Sequence, residues 1–234
     1  MDCVSKMMSL RLKLFQEMAC YKKPFALKVA ETYPLPPYST VSGLMHNILK
    51  ANSYVDMSIS IQGNYEDKFI NLQTYYFYKK NEKTKMPLNV HYLYNVELVI
   101  HVVSKKEVIE KLISGIQNSC EFFSLGRKED LLRIDEVKKV EIKEIDLTKE
   151  DTPLFLKYSA YVPRERYQIN GLTGINYNLN FKYEIKNELR KWERIKTMFV
   201  EKSNNSIDNG TIYIDEDEIP VFLNLKVDDK YDLC

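Results

Sequence analysis

The order of hydrophobic patterns along the 234 residues predicts an α+β fold. Its expected form is a ferredoxin-like βαββαβ core with a β-hairpin insertion, plus a smaller C-terminal β-rich subdomain. Three observations predict it. Apolar residues alternate with period 2 at 9–15 and 55–62, as in half-buried strands. They recur with helical period at 41–49 and 108–116. After about residue 150 only strand-like runs remain. The expected division is 1–148 for the core domain, with the extended hairpin arm at about 65–95, and 149–234 for the subdomain.

Each element follows in order. Leu10, Leu12 and Leu14 face one way on the first strand, and Arg11, Lys13 and Phe15 the other. Residues 16–38 have no period and hold four prolines, which forbid a regular helix. They mix Tyr21, Lys22, Lys23, Lys28, Tyr33 and Tyr38, so they read as an ordered binding loop rather than a linker. Ser39 then starts a helix as its cap, with Val41, Leu44, Met45, Ile48 and Leu49 on one buried stripe. Gly43 lies on the opposite face, where glycine costs about 1 kcal/mol relative to alanine and suggests close approach by a neighbour or ligand. Residues 55–62 form a strand, 69–78 its tyrosine-rich return, and Lys79, Lys80, Lys83 and Lys85 a basic tip. A long strand over 90–103 follows. Ser104 and Glu107 match a capping box for a helix burying Val108, Ile109, Leu112, Ile113 and Ile116. Strands at 137–145, 154–162, 176–185, 192–200 and 211–214 complete the chain.

Composition narrows the function. Lys plus Arg is 34 and Asp plus Glu is 33, a net charge of +1, which excludes a generally basic nucleic-acid coat. The charge is uneven: residues 1–134 carry a net +5 and the remainder a net −4. A polyanion therefore favours the N-terminal half. The acidic run Asp215 to Glu218 and the tail with Asp228, Asp229 and Asp232 read as solvated surface. No apolar run approaches a membrane span, and the charged, alternating start does not read as a signal peptide. Cys3, Cys20, Cys120 and Cys234 form no C-x-x-C pair, so structural zinc and a disulfide scaffold are not expected, and reduced thiols in a cytoplasmic protein are.

No phosphate-binding loop, nucleophile elbow or metal-binding helix motif is present. His46, His91 and His101 lie far apart without cysteine at ligand spacing, so no metal and no cofactor is expected. His46 beside the lysine–tyrosine loop has the chemistry of a general base, although a surface helix residue is the preferred reading. The stronger signal is binding. Single-stranded RNA needs cations for phosphates and rings for splayed bases. Arg11, Lys13, Tyr21, Lys22, Lys23, Tyr33 and the arm with Lys79 and Lys80 supply both, and the helix start at Ser39 and Thr40 offers free amides to a phosphate.

Residues 31–49 read Glu-Thr-Tyr-Pro-Leu-Pro-Pro-Tyr-Ser-Thr-Val-Ser-Gly-Leu-Met-His-Asn-Ile-Leu. This resembles the signature of the CRISPR-associated Cas-five family, type I-B branch, within the RAMP superfamily. Thr32, Tyr33, Pro34, Pro36, Pro37, Ser39, Thr40, Val41, Gly43 and His46 match it. Tyr21-Lys22-Lys23-Pro24-Phe25 and Leu125-Gly126-Arg127 also resemble the family, and the likeness covers about residues 8–133. Ser42 departs from it, standing where the family more often has an aliphatic residue.

The resemblance implies a subunit of Cascade, the type I surveillance complex. It would cap the 5′ handle of the CRISPR RNA (crRNA) and touch the backbone subunit (Cas-seven family) and the large subunit (Cas-eight family). Target DNA would be met only indirectly, and no membrane. On this reading the core would be RRM-like, Ser39, Thr40 and Arg127 would hold handle phosphates, and the hairpin at 65–95 would be a β-hairpin thumb insertion. One branch of the family cleaves precursor RNA with a tyrosine and an adjacent lysine–histidine pair. No Lys-His dipeptide occurs in this chain, so a non-catalytic role is expected. Two alternatives stay open: a metal-independent endoribonuclease using His46 or Tyr21, and a protein–protein scaffold docking through its tyrosine-rich arm.

Overall fold

The computed structural model of the chain describes residues 6–24, 29–80, 82–149, 153–167, 169, 171–202 and 206–226. Phe25, Lys28, Cys3, Cys234 and the acidic tail at Asp228, Asp229 and Asp232 lie outside them. The first half of the chain supplies β1 (Lys6–Ala19), β2 (Val29–Ala30), α1 (Tyr38–Ile48), β3 (Ser58–Asn64), β4 (Asp67–Tyr78), β5 (Lys83–Val103) and α2 (Lys106–Gln117). Then come β6 (Phe123–Ser124), β7 (Leu131–Asp146), a 3₁₀ turn at Leu147–Lys149, β8 (Leu154–Phe155) and β9 (Ser159–Pro163). The last elements are β10 (Ile175–Lys186), β11 (Leu189–Val200), β12 (Ser206–Ile207), β13 (Thr211–Asp215) and β14 (Pro220–Val221).

Among the described residues the architecture is α+β, with a mostly antiparallel sheet and two α-helices. At its centre the strands run in the order β3-β5-β1-β7, every neighbouring pair antiparallel. Leu10 stands opposite Val102 on β5 and Lys139 on β7. The period-2 pattern explains the layering. Leu10, Leu12, Leu14, Met57, Ile59, Ile61, Ile100 and Val102 point to one face and bury against α1 and α2. The α1 stripe of Val41, Leu44, Met45 and Ile48 faces them, with Leu49 partly buried beside it.

β5 is long enough to serve two partners along one edge. Ser58–Asn64 pair with Val103–Glu97, and Asp67–Tyr78 pair with Tyr94–Lys83. Asn95, in the left-handed region at φ 47°, and the bond from Glu66 N to Tyr94 O mark the change of partner. The β4–β5 hairpin thus grows from the centre of the sheet. After residue 149 the chain extends the same sheet at both edges. β9, β11 and β10 add beyond β3, and β13 and β14 add beyond β7.

Two helix starts differ from expectation. Helix α1 begins at Tyr38 with Pro37 as its cap, and Ser39 makes no capping bond. Pro37 sits at φ −67° and ψ 157°, and its carbonyl already accepts from Thr40 and Val41 N–H, so the helix starts before Ser39 can cap it. Helix α2 is capped by Lys105 without a side-chain bond. Ser104 instead donates to Asp56 O at 2.6 Å, tying the helix entry to the segment before β3.

The acidic run read as solvated surface is in part an anchor. Asp215 is buried, and the segment after it closes the polar face of the sheet. Phe222 N–H donates to Ser60 Oγ and Ile59 N–H to Asn224 Oδ1, while Gln62 Nε2 donates to Pro220 O.

Candidate nucleic-acid interface

The predicted site residues fall in four places. The first is the base of the β4–β5 arm, where the end of β1 meets the turn before β7. Buried Gln16 donates through Nε2 to Leu125 O (2.9 Å) and Asp130 O (3.0 Å), and its Oε1 accepts from Tyr21 Oη at 2.7 Å. Asp130 Oδ2 accepts from Cys20 N–H (3.0 Å) and from Arg127 N–H and Nε (3.1 Å each), and its Oδ1 accepts from Arg127 Nη2 at 2.5 Å. Gly126 turns the chain at φ 104°, and a Cβ there would meet the Tyr21 ring and Cys20 O within 3.3 Å. Arg127 also pairs with Glu129 at 3.2 Å and lies over the Tyr92 ring at 4.7 Å. Burial opposes its charge, but the Asp130 hydrogen bonds more than offset this and hold its pKa above the arginine range.

Two expectations are corrected here. Tyr21 is 1% exposed, so its ring is no stacking platform, and burial pushes its hydroxyl well above the usual tyrosine range. Arg127 has its charge answered inside the turn, so it shapes the turn rather than reaching for a phosphate.

The second place is the loop that leaves this base. Tyr33 N–H donates to Tyr21 O and Lys23 N–H to Glu31 O, while Tyr21 N–H donates to Thr32 Oγ1. β2 then lies parallel to β5 at Asn89 and Val90. Lys22 is exposed. Lys23 pairs with Glu31 at 3.0 Å, and its Nζ stands 6.0 Å from both the Tyr33 and Tyr177 rings. Lys23 and Tyr177, with Tyr65 and Lys68, line a hollow of about 150 Å³.

The third place is the arm itself. Tyr76, Phe77 and Tyr78 are exposed, as are Lys79, Lys80, Lys83 and Lys85. Lys83 Nζ lies 4.4 Å from the Tyr76 ring and 5.2 Å from the Tyr78 ring. Cations and rings are thus interleaved on an open surface, the arrangement that binds single strands through phosphates and stacked bases.

The fourth place is the polar face of the sheet, where Arg11 and Lys13 sit. Arg11 is 1% exposed and paired with Glu136 (2.8 Å), Asp215 (2.7 Å) and Asp217 (2.5 Å). Burial works against its charge, and those three carboxylates more than restore it. The same burial would raise Asp215, but His101, Ile219 N–H and Arg11 hold it well below the carboxylate range. Arg11 therefore holds the C-terminal segment onto the sheet and is not open to RNA. Lys13 is half-buried and pairs with Glu136 at 3.1 Å.

Ser39, Thr40 and His46 lie on α1. Ser39 and Thr40 are half-buried at its first turn. His46 Nδ1 is 2.7 Å from Ser42 O and Nε2 accepts Val55 N–H at 2.9 Å, which fixes the neutral tautomer protonated at Nδ1. Ser39 and His46 line a cleft of about 470 Å³ between α1, residues 51–54 and the β10–β11 hairpin. The far wall includes Lys182, Tyr183 and Trp192, which the sequence reading did not single out. Their signal was legible: residues 181–192 interleave cations and rings as residues 75–85 do. Among the described residues no group of three or more His, Cys, Asp or Glu side chains is placed to hold a metal ion, and no helix is long and apolar enough to cross a membrane.

Two solved structures have this fold. A chain described as "CRISPR RNA-guided surveillance complex" matches at TM-score 0.58 and 11% identity, over 90% of this chain and 92% of that one. A CRISPR protein from Archaeoglobus fulgidus matches at TM-score 0.53 and 11% identity, over 92% and 99%. No curated protein matches the chain in sequence. The fold is thus one found among CRISPR-associated proteins. The family described as CRISPR-associated protein (Cas_Cas5) matches residues 9–196, most of the chain, and the chain belongs to it.

Proposed function

We propose that this chain is the non-catalytic crRNA-binding subunit of a type I-B Cascade complex, acting in antiviral defence in the cytoplasm. It holds the 5′ handle and contacts the backbone subunit (Cas-seven family) and the large subunit (Cas-eight family). The order β3-β5-β1-β7 with two helices on one face is read as a ferredoxin-like core, and the β4–β5 hairpin as its thumb. The observation that carries the reading is the arm: Lys83 over the exposed rings of Tyr76 and Tyr78, with Lys79, Lys80 and Lys85 beside it, in a member of this family.

The endoribonuclease alternative has less support. Both ring nitrogens of His46 already have partners, and the Tyr21 hydroxyl is buried against Gln16. Incubating the purified chain with repeat RNA in EDTA tests it. Intact RNA is expected, whereas cleavage that His46→Ala abolishes would establish the nuclease. The binding reading is tested by the affinity of the full chain for single-stranded RNA against salt. A steep loss with salt is expected, and no binding at low salt would refute it.

A further inference from the structure

We propose that the cleft between α1 and the β10–β11 hairpin takes one unstacked base, with its phosphate, of the bound single-stranded RNA. This rests on the RNA-binding reading and assigns it a second, walled site away from the open arm.

The cleft has the size of a ligand site. Its roughly 470 Å³ falls in the range of about 300–1,000 Å³ that small-molecule pockets occupy. Its lining carries the rings of His46, Tyr54, Phe181, Tyr183 and Trp192. Tyr54 stacks on His46 with centroids 5.6 Å apart and planes at 27°. On the β10–β11 hairpin Tyr183 and Trp192 pack together at 5.0 Å, with the Arg190 guanidinium 4.7 Å from the Tyr183 ring. Part of the floor is Gly43, where a Cβ would meet nothing within 4 Å. No neighbour therefore requires a glycine at this helix-interior position, and its lack of a side chain keeps the cleft open.

The polar groups fit a nucleotide better than a partner's apolar side chain. Ser39, Ser42, Asn52 and Ser53 bring hydroxyl and amide groups that can bond the edge of a base. An apolar side chain filling the cleft would take water from them and give no bond in return. Among the described residues that line the cleft there is no carboxylate, and Lys182 supplies its cation. Lys182 Nζ lies 5.5 Å from the Tyr54 ring and pairs with Glu193 at 3.3 Å. That pair is exposed and exchanges readily for a phosphate.

Trp192 is the only tryptophan of the chain, so its fluorescence reports on this cleft. The full chain is titrated with a short oligoadenylate while the anisotropy of the labelled oligonucleotide reports total binding. The proposal predicts a saturable change in Trp192 emission that follows the anisotropy. Gly43→Phe, which fills the cleft, and Tyr54→Ala, which removes a ring, should each weaken binding about tenfold with unchanged far-ultraviolet circular dichroism. If RNA binds but Trp192 does not respond and both variants bind as wild type, the cleft assignment fails and the RNA reading stands. If the wild-type chain binds no oligonucleotide at low salt, the RNA reading itself fails. If Gly43→Phe keeps full RNA affinity but no longer assembles with the other subunits, the cleft seats a protein and the proposal is overturned.

Discussion

The base and the tip of the β4–β5 arm use the same residue types to opposite ends. At the base, Arg127 and Tyr21 are enclosed beside the Tyr92 ring, and Asp130, Glu129 and Gln16 answer the polar groups of Arg127 and Tyr21. At the tip, Lys79, Lys80, Lys83 and Lys85 stand in water beside exposed Tyr76 and Tyr78. The difference teaches that interleaved cations and aromatics do not by themselves mark a binding surface. A nearby carboxylate and a burying neighbour turn the same pattern into a structural lock. The polar face of the sheet repeats the base: Arg11 is locked by Asp215, Asp217 and Glu136.

If that division is right, substitutions at the base should cost stability and those at the tip should cost RNA affinity. The largest effect is expected for Asp130→Ala. It leaves exposed Glu129 as the carboxylate paired with the Arg127 guanidinium and removes the acceptor of Cys20 N–H, a loss of about 3 kcal/mol in denaturant unfolding. Gln16→Leu should follow at about 2 kcal/mol, since Leu125 O, Asp130 O and the Tyr21 hydroxyl lose a buried partner. A loss at either position that appears only in RNA affinity, with stability unchanged, would break the comparison.

The tip sharpens it from the other side. Lys79→Ala with Lys80→Ala should leave stability within about 0.5 kcal/mol while lowering the salt slope of single-stranded RNA binding by about 1.4. A slope unchanged by both would remove these lysines from the interface.

A further test concerns pH. Burial lowers the His101 pKa, so the folded chain resists a proton that the unfolded chain takes up below about 6.5. Stability should therefore fall as pH drops from about 7 to about 5, by at most about 1.4 kcal/mol per pH unit from this group. His101→Asn should flatten that slope in thermal melts, and an identical slope in the variant would assign it elsewhere.

Much of the fold was legible because local patterns carried it. Leu10, Leu12 and Leu14 on β1 and the Val41-to-Ile48 stripe on α1 are short-range signals, and each sits where its period places it. The capping errors arose from competition that the pattern does not weigh: Pro37 fixes the helix start before Ser39, and Ser104 finds Asp56 O. Arg11 and Asp215 were misread for a different reason. They meet across 204 positions of sequence, so neither residue's local context shows the other. The candidate site divides in the same way. Lys79 and Lys80 were legible because the hairpin leaves its tip exposed. Tyr21 and Arg127 were not, because a turn more than a hundred residues away from Tyr21 closes over it.

Ultraviolet crosslinking of the assembled complex, with mass spectrometry of RNA-linked peptides, tests the central claim most directly. The account predicts crosslinks in peptides spanning Tyr76 to Lys85 and Lys22 to Tyr33, with none at buried Tyr21 or Arg11. Crosslinks confined to other subunits would contradict it and leave this chain a protein scaffold.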